Sequence, residues 1–520
     1  MTAQTSIYKG IVKGSAALVA GALIPFSIAP FNLLILSFAG VSIFAWLILK
    51  PASRKSIFFT ALLFGIGLFG VGVSWIYVSI HDYGEAPVAL ALTMMTLFVV
   101  FLAAIFALPW VLLTSIFPPR QQAKASLQIL CFAALWLIVE WIRSWFLTGF
   151  PWLYIGQGHL NSPLSGWAPL VGALGIGFLQ AGICATLALS LRDKCKNKSL
   201  RTACIISILL LVSSPLLSRI DWTESLEPVQ VALIQPNIPL QDKWDPALRE
   251  SNLQKIIDLS EPHWNADILV WPEAALPLTT LGQDELLLEL SEYTGPDTSL
   301  LSGRLVFDPY DKRFLNNVIG LGSAEGEYSK RRLVPFGEYV PFENQLRGII
   351  EFFDLPMSVI SRGDAEQEHL RSGDLNIAVA VCYEIAYGHQ VGLDSQSANL
   401  LMTVSSDTWF GDSIGPHQHF QLAQVRALET SKPVMRGTNN GITGLIDHRG
   451  RIIARAEQFS ATVLTGSLEP QSGMTPFSRW GQSPMAILCL LILTITLNPR
   501  KIISRINNRI KDLLINIKNT

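Results

Sequence analysis

The sequence predicts an α-helical transmembrane bundle of about eight spans, with one α/β domain inserted before the last span. Three observations carry that reading. Half of the 520 residues are hydrophobic and only 15% are charged, against a charged share of about 25% in soluble proteins. The apolar residues are unevenly placed: residues 1–220 are almost continuously apolar, 225–475 have the charges, prolines and alternation of a soluble domain, and 484–498 are apolar again before a basic tail. Lys and Arg fall in every second link between the apolar segments. The expected organisation is a transmembrane bundle over 1–220, an α/β domain over 225–475, and a last span with a basic tail over 480–520. A net charge of −1 and the lack of basic runs interleaved with aromatics argue against nucleic-acid binding.

A helix needs about 20 apolar residues to cross a bilayer. Seven candidates precede the polar domain, near 9–27, 31–49, 57–80, 87–117, 126–146, 164–191 and 202–218, and an eighth lies near 483–498. The first lacks the small-residue cleavage pattern and polar mature chain of a signal peptide. Basic residues precede or start the first candidate (Lys9, Lys13) and follow the second (Lys50, Arg54, Lys55), fourth (Arg120, Lys124), sixth (Arg192, Lys194, Lys196, Lys198, Arg201) and eighth (Arg500, Lys501, Arg505). The links at 81–86 and 147–163 have none. The positive-inside rule then puts both termini in the cytoplasm and the domain on the opposite side, the periplasm in a Gram-negative cell. Within the fifth candidate, Glu140 and Arg143 lie three apart on one helix face, which suits a structural ion pair.

Of the six cysteines, Cys131, Cys184, Cys204 and Cys489 lie in apolar segments and Cys195 in a basic link; Cys382 alone lies in the polar domain. An oxidising compartment normally pairs its structural cysteines, so a solitary thiol there invites a reactive role. Residues 375–381 read as a buried strand, which puts Cys382 at the strand's C-terminal end, where α/β folds display nucleophiles. A helix start at that point is expected to lower the thiol pKa.

Two further residues stand near strand ends. Glu273 follows the apolar run 266–271; beside Trp271 and Pro272 its carboxylate is expected to be partly desolvated and its pKa raised toward that of a general base. Taken alone it reads more readily as a surface acid capping the following helix. Lys330, in EYSKRRLVPFGEYVPFE, leads into Leu333 and Val334, so the chain turns inward there; a lysine near a thiolate can hold an oxyanion. Glu338 lies in the turn beyond. No glycine-rich phosphate loop follows a strand. His417 and His419 have the wrong spacing for a metal pair on one face. The motifs thus call for no metal and no cofactor.

In the order Glu, Lys, Cys, these residues resemble the triad of the nitrilase superfamily. The membrane frame narrows the resemblance to the apolipoprotein N-acyltransferase family. It is carried by IQPNIPLQDKWDP (234–246), WPEAALP (271–277), YSKRRLVPFGEYVP (328–341), VCYE (381–384), DTWFGDSIGPHQHFQLAQVRALE (407–429), RGTNNGITGLIDHRG (436–450) and, in the membrane part, TGFPWLYIGQ (148–157). Ser406 and Thr408 depart from the family's usual Asn and Ala in the DAWFGDS segment. The resemblance implies a nitrilase-like αββα sandwich, with strands expected near 229–235, 266–271, 298–306, 316–322, 375–381, 398–405 and 443–456.

It also implies a site with Glu273, Lys330 and Cys382 as catalytic residues and Trp244, Glu338, Tyr383 and Glu384 in support. Trp244, in its KWDP loop, is implied as a lid or acyl-chain contact, with a core tryptophan as the alternative. Glu384 is expected to face back toward the nucleophile's side, or to be a first-turn acid favoured by the helix dipole. The implied reaction moves an acyl chain from a phospholipid, the sn-1 chain of phosphatidylethanolamine, through a Cys382 thioester to the amine of a diacylglyceryl-cysteine lipoprotein. The setting is the bacterial inner membrane and the chain is expected to act as a monomer. The apolar loop 351–360 is expected to dip into the headgroup layer. Two rival readings stay open: a membrane-tethered amidase or nitrilase using the same triad, and a transporter with an accessory domain.

Overall fold

The computed structural model describes residues 3–50, 52–112, 124–195, 197–276, 283–308, 310–340 and 360–497. The membrane part contains α1 (Ala3–Leu23), α2 (Leu34–Ile48), α3 (Arg54–Gly72), α4 (Trp75–His81), α5 (Val88–Ala107), α6 (Ala125–Arg143), α7 (Ala168–Asp193) and α8 (Lys198–Leu217). Among the described residues, six segments have the length and hydropathy to cross a membrane, one each involving α1, α3, α5, α6, α7 and α8. Helix α2 and the last helix, Ser483–Leu497, are apolar but 15 residues long, about 22 Å at 1.5 Å per residue. All eight apolar segments read from the sequence therefore contain helix.

The expected span 57–80 is not one helix. It breaks after Gly72, and α4 turns onto the polar domain, where Ser79 Oγ donates to the Trp409 carbonyl at 2.7 Å. The bundle core is an aromatic cluster, with ring centroids 4.3 Å apart for Phe44–Phe64 and 5.0 Å for Trp110–Phe132. Helix α7 bends at Gly172, whose φ is +65°. A Cβ there would fall 2.3 Å from the Phe477 ring, so only glycine admits both the bend and the ring. Just past the bend, the N–H of Ala173 donates to Glu429 of the polar domain at 2.6 Å.

The domain is a sandwich of two sheets. One has strand order β14-β2-β3-β4-β5-β7 and the other β13-β12-β11-β10-β9-β8-β6. In chain order these are β2 (Val229–Gln235), β3 (Ile268–Leu276), β4 (Ser299–Asp308), β5 (Arg313–Gly322), β6 (Ala324–Glu325), β7 (Glu327–Ser329), β8 (Leu370–Ser372), β9 (Leu375–Val381), β10 (Leu400–Ser405), β11 (Val434–Thr438), β12 (Gly444–Ile446), β13 (Ile452–Arg455) and β14 (Thr462–Leu468). A separate antiparallel pair joins β1 (Thr223–Ser225) to β15 (Gln471–Gly473), the strands by which the chain enters and leaves the domain.

The two-residue period of the strands builds the layers. Val231, Leu233, Ile268, Val270, Val379, Val381, Met402 and Val404 point between the sheets. Ala232, Ile234, Leu269 and Trp271 face outward onto α10 (Arg249–Ser260) and α11 (Gln283–Thr294) through Leu253, Ile256 and Leu290. On the other side, Ala378, Ala380 and Leu401 meet Ala423 and Ala427 of α12 (Ile414–Thr430), and this apolar cluster runs on into the bundle. The αββα arrangement is thus present, with one outer helical layer seated on the membrane part. Two strand expectations need correction, and β14 was not expected at all. Strand β3 runs on to Leu276, the segment 443–456 is two antiparallel strands, and β14 closes the first sheet from a distant part of the chain, which no local pattern predicts.

Candidate active site

Strand β3 carries Glu273 inside the strand, not beyond its end, at an irregular stretch where pairing with β4 slips between Trp271 and Leu276. Ala274 next to it has φ +50°. The carboxylate is well held. Its Oε1 accepts from Asn316 Nδ2 at 2.8 Å and Lys330 Nζ at 3.3 Å, and its Oε2 accepts from the N–H of Ser406 at 2.9 Å. Ser406 thus contributes its main chain, which a change of side chain leaves in place; its Oγ lies 3.4 Å from Thr408 Oγ1 instead.

Lys330, 1% exposed, follows β7 and bridges two carboxylates, with Nζ 2.8 Å from Glu338 Oε1. Glu338 closes its own turn by accepting the Val334 N–H at 2.8 Å through Oε2.

Cys382 follows β9 directly, as expected, and opens a short 3-10 turn, Cys382–Ala386. Its φ of +53° is a left-handed conformation that costs a non-glycine residue free energy, the backbone signature of a residue forced to point out of a strand end. The thiol lies within electrostatic reach of Glu273, Lys330, Asp407 and Glu338.

The charge states differ from the expectation in two places. Burial pushes the Glu273 carboxyl up, but Lys330, Lys243 and the Asn316 and Ser406 hydrogen bonds outweigh it, and the net shift is downward. Burial and the Glu273 charge push the Cys382 thiol well above its ordinary value, and Lys330 offsets only part of this. The segment after Cys382 is a single 3-10 turn and not the expected helix start. Lys330 stays protonated well above the usual lysine range: burial opposes this, and Glu338 and Glu273 prevail. At rest the arrangement is a neutral thiol facing an ionised carboxylate and a charged ammonium.

Glu384 turns back toward the strand end that carries Cys382, as expected, and is fully buried there as a clamp. Its Oε1 accepts the N–H groups of Arg331 (2.7 Å) and Arg332 (2.9 Å), and its Oε2 accepts the Val381 N–H (2.8 Å) and the Tyr328 hydroxyl (2.9 Å). It therefore ties the Lys330 segment to the strand end that displays Cys382. Tyr383 leaves the domain for the membrane part: its hydroxyl donates to the Gly149 carbonyl at 3.2 Å and its ring stacks on Trp152 at 6.3 Å. Tyr387 donates to the Thr148 carbonyl at 2.9 Å.

The Gly149–Trp152 loop is itself held by α6. Arg143 Nη1 donates to the carbonyls of Phe150 (3.1 Å) and Trp152, and Glu140 accepts the Ile155 N–H at 3.0 Å. The expected Glu140–Arg143 ion pair is not formed, because each side chain is taken up by this loop's main chain.

The chain of the N-terminal part matches a model described as the apolipoprotein N-acyltransferase N-terminal domain over residues 20–186, and residues 230–473 match a carbon-nitrogen hydrolase model. A protein of Pseudomonas syringae pv. tomato named apolipoprotein N-acyltransferase is 41% identical over 484 residues, covering 92% of this chain and 94% of its own. Proteins of the same name from Azotobacter vinelandii (41% over 493 residues, 92% and 93% covered) and Photobacterium profundum (36% over 491 residues, 92% and 93% covered) match similarly. The chain belongs to the apolipoprotein N-acyltransferase family. With its apolar helices, this makes it a multi-pass membrane protein.

Other residues of this apolipoprotein N-acyltransferase homologue complete the site. Trp244 ends the short helix α9 (Leu240–Trp244) and packs on Ala274, Leu333 and Ile360 beside the candidate residues. That contact joins neighbours of Glu273 and Lys330, so it is more than a remote core position. Sequence reasoning passed over Lys243 and Asn316, although Lys243 stands in the quoted KWDP stretch. Asn316 lies on β5 with nothing local to mark it. Of the HQH stretch, His419 turns Nδ1 to Asp407 Oδ1 at 2.9 Å and Nε2 to the Cys382 carbonyl at 3.0 Å. Residues 351–359 of the expected headgroup loop lie outside the described residues; Ile360 is buried.

Proposed function

We propose that the chain transfers a fatty acyl group from a phospholipid, through a thioester on Cys382, to the α-amine of a diacylglyceryl-cysteine lipoprotein. The observation that carries the reading is Glu273, held by Asn316, Ser406 and Lys330 in one buried cluster whose charges act on Cys382, with the thiol raised and the carboxyl depressed. The proton donor is loaded and its acceptor is empty, which is the ground state a general-base step needs.

In the first half-reaction Glu273 takes the thiol proton as sulfur attacks the ester carbonyl carbon. Lys330 faces the developing oxyanion. The carbon–oxygen ester bond breaks, Glu273 returns the proton to the departing lysophospholipid oxygen, and a thioester remains. In the second, the amine nitrogen attacks the thioester, Glu273 accepts its proton, the carbon–sulfur bond breaks, and the thiolate regains the proton. The product is an amide, which lies downhill from the thioester. Phosphatidylethanolamine is the proposed donor, and the bundle is the reason lipids reach the site: the residue after the nucleophile hydrogen-bonds to a loop of the membrane part. In this reading both termini lie in the cytoplasm and the domain in the periplasm of an inner-membrane protein working as a monomer; the basic residues in every second link support the orientation.

The test is the intact mass of purified protein incubated with phosphatidylethanolamine and no acceptor, beside Cys382→Ala. A hydroxylamine-labile gain of one acyl group, absent in the variant, is expected. An active wild-type preparation without an adduct would overturn the thioester route and favour a hydrolase using the same residues.

A further inference from the structure

Lys330 alone faces two carboxylates, Glu338 at 2.8 Å and Glu273 at 3.3 Å. Within this ion-paired group one cation for two anions leaves a net negative charge, since Glu384 is taken up by main-chain N–H groups and the Tyr328 hydroxyl, and the chemistry adds none to relieve it: moving a proton from Cys382 to Glu273 only shifts the charge from oxygen to sulfur. A second cation is present. Lys243 donates to the main-chain carbonyl of Glu273 at 2.7 Å, and its ammonium lies 5.5 Å from the centre of the Trp244 ring. It feels the charge of both Glu273 and Cys382. With Lys243 counted, two ammonium groups meet two carboxylates before proton transfer, and one carboxylate and one thiolate after it.

The contact with the Glu273 carbonyl falls one residue before Ala274, whose φ is +50°, so Lys243 grips the main chain where β3 is distorted. Helix α9 brings Lys243 there and seats Trp244 on Ala274 and Leu333 in the same move. From behind, Asn252 Nδ2 donates to the Asp242 carbonyl at 2.8 Å.

We propose that Lys243 is a positioning residue of the acyl-transfer centre: it holds the main chain at Glu273 and balances the second carboxylate, so the segment Leu240–Trp244 must be docked before the thiol can react. The inference rests on the thioester reading above. Removing the charge leaves Glu273 and Glu338 sharing one cation, which raises the affinity of Glu273 for a proton and removes a charge that favours the Cys382 thiolate.

The experiment is single-turnover acylation of Cys382 by phosphatidylethanolamine, followed by intact mass across pH, for the wild-type full chain, Lys243→Met, Lys243→Gln and Lys243→Arg. Lys243→Met is expected to acylate about 100-fold more slowly, the loss typical of one preorganised electrostatic partner, with its acid limb moved to higher pH. Lys243→Arg restores most of the rate. Lys243→Gln keeps a donor for the carbonyl without charge, and it is expected to stay slow. Thermal melts identify any variant that is merely misfolded, and the Gln and Arg variants then decide. Wild-type rates and an unmoved acid limb in Lys243→Gln would overturn the proposal. A wild-type protein that never acquires the adduct would overturn the thioester reading itself, a separate result.

Discussion

His419 Nε2 lies 3.0 Å from the carbonyl oxygen of Cys382, so the left-handed residue at the strand end is gripped by its own main chain. The imidazole is in turn fixed by Asp407, whose Oδ2 accepts from Arg436 Nη2 at 2.7 Å, with both of those side chains fully buried. The conformation of Cys382, the proposed nucleophile, thereby depends on an ion pair it never touches.

Asp407→Asn is expected to leave the Arg436 guanidinium buried without its counter-charge, at about 3–5 kcal/mol. Burial raises the Asp407 carboxyl, but Arg436 and His419 hold it well below the usual range. A depressed folded value contributes stability above about pH 3.9, the unfolded value, and loses it as pH falls through the folded one. Thermal melts against pH should show a lower melting temperature for Asp407→Asn at neutral pH and a shallower decline in acid.

Glu384→Gln should cost about 100-fold in acyl transfer, the scale of an ångström-sized misplacement. The carboxylate accepts four hydrogen bonds, and an amide would present its NH2 to donors it now receives. A single-turnover rate within threefold of wild type would show that the Lys330 segment needs no tie to the Cys382 strand.

The pH–rate profile of the first turnover should be flat near neutrality. With Glu273 as the proposed base, active when ionised, the acid limb is its titration, and its depressed pKa puts that limb below the ordinary Glu value of about 4.3. On the alkaline side, burial brings the Lys243 ammonium down to about 8, so the rate should fall as pH rises through that value. In Lys243→Arg the alkaline limb should move upward.

Tyr383→Phe removes one hydrogen bond to Gly149 and keeps the ring on Trp152. A loss of about 2- to 10-fold is expected, the worth of a single hydrogen bond, with Tyr383→Ala much slower. Equal rates for the two variants would place the function in the hydroxyl alone.

The parts legible in the sequence were those written in local pattern. Eight apolar segments announce helices, and the buried strand before Cys382 announces its exposed end. Distant partners were not legible. Asn316 reaches Glu273 across the sheet from a strand with nothing to distinguish it, and Arg436 reaches Asp407 from another strand. Charge states were misjudged for the same reason: burial next to Trp271 is local, whereas Lys243 and Lys330, which reverse its effect on Glu273, come from other segments. The break between α3 and α4 was hidden because both pieces are apolar, and only docking on Trp409 separates them.

Strands β1 and β15 pair residue for residue, Thr223 with Gly473 and Ser225 with Gln471. Departure and return therefore share one doorway, about 5 Å wide at the spacing of paired strands. A domain of some 250 residues hangs from the bundle there as a cassette whose removal would leave a gap that a short turn could close. Such an architecture lets a hydrolase-like module be joined to a set of helices without rearranging their order, and it makes the ties of Tyr383, Tyr387 and Glu429, not the peptide chain, responsible for how the module faces the bilayer.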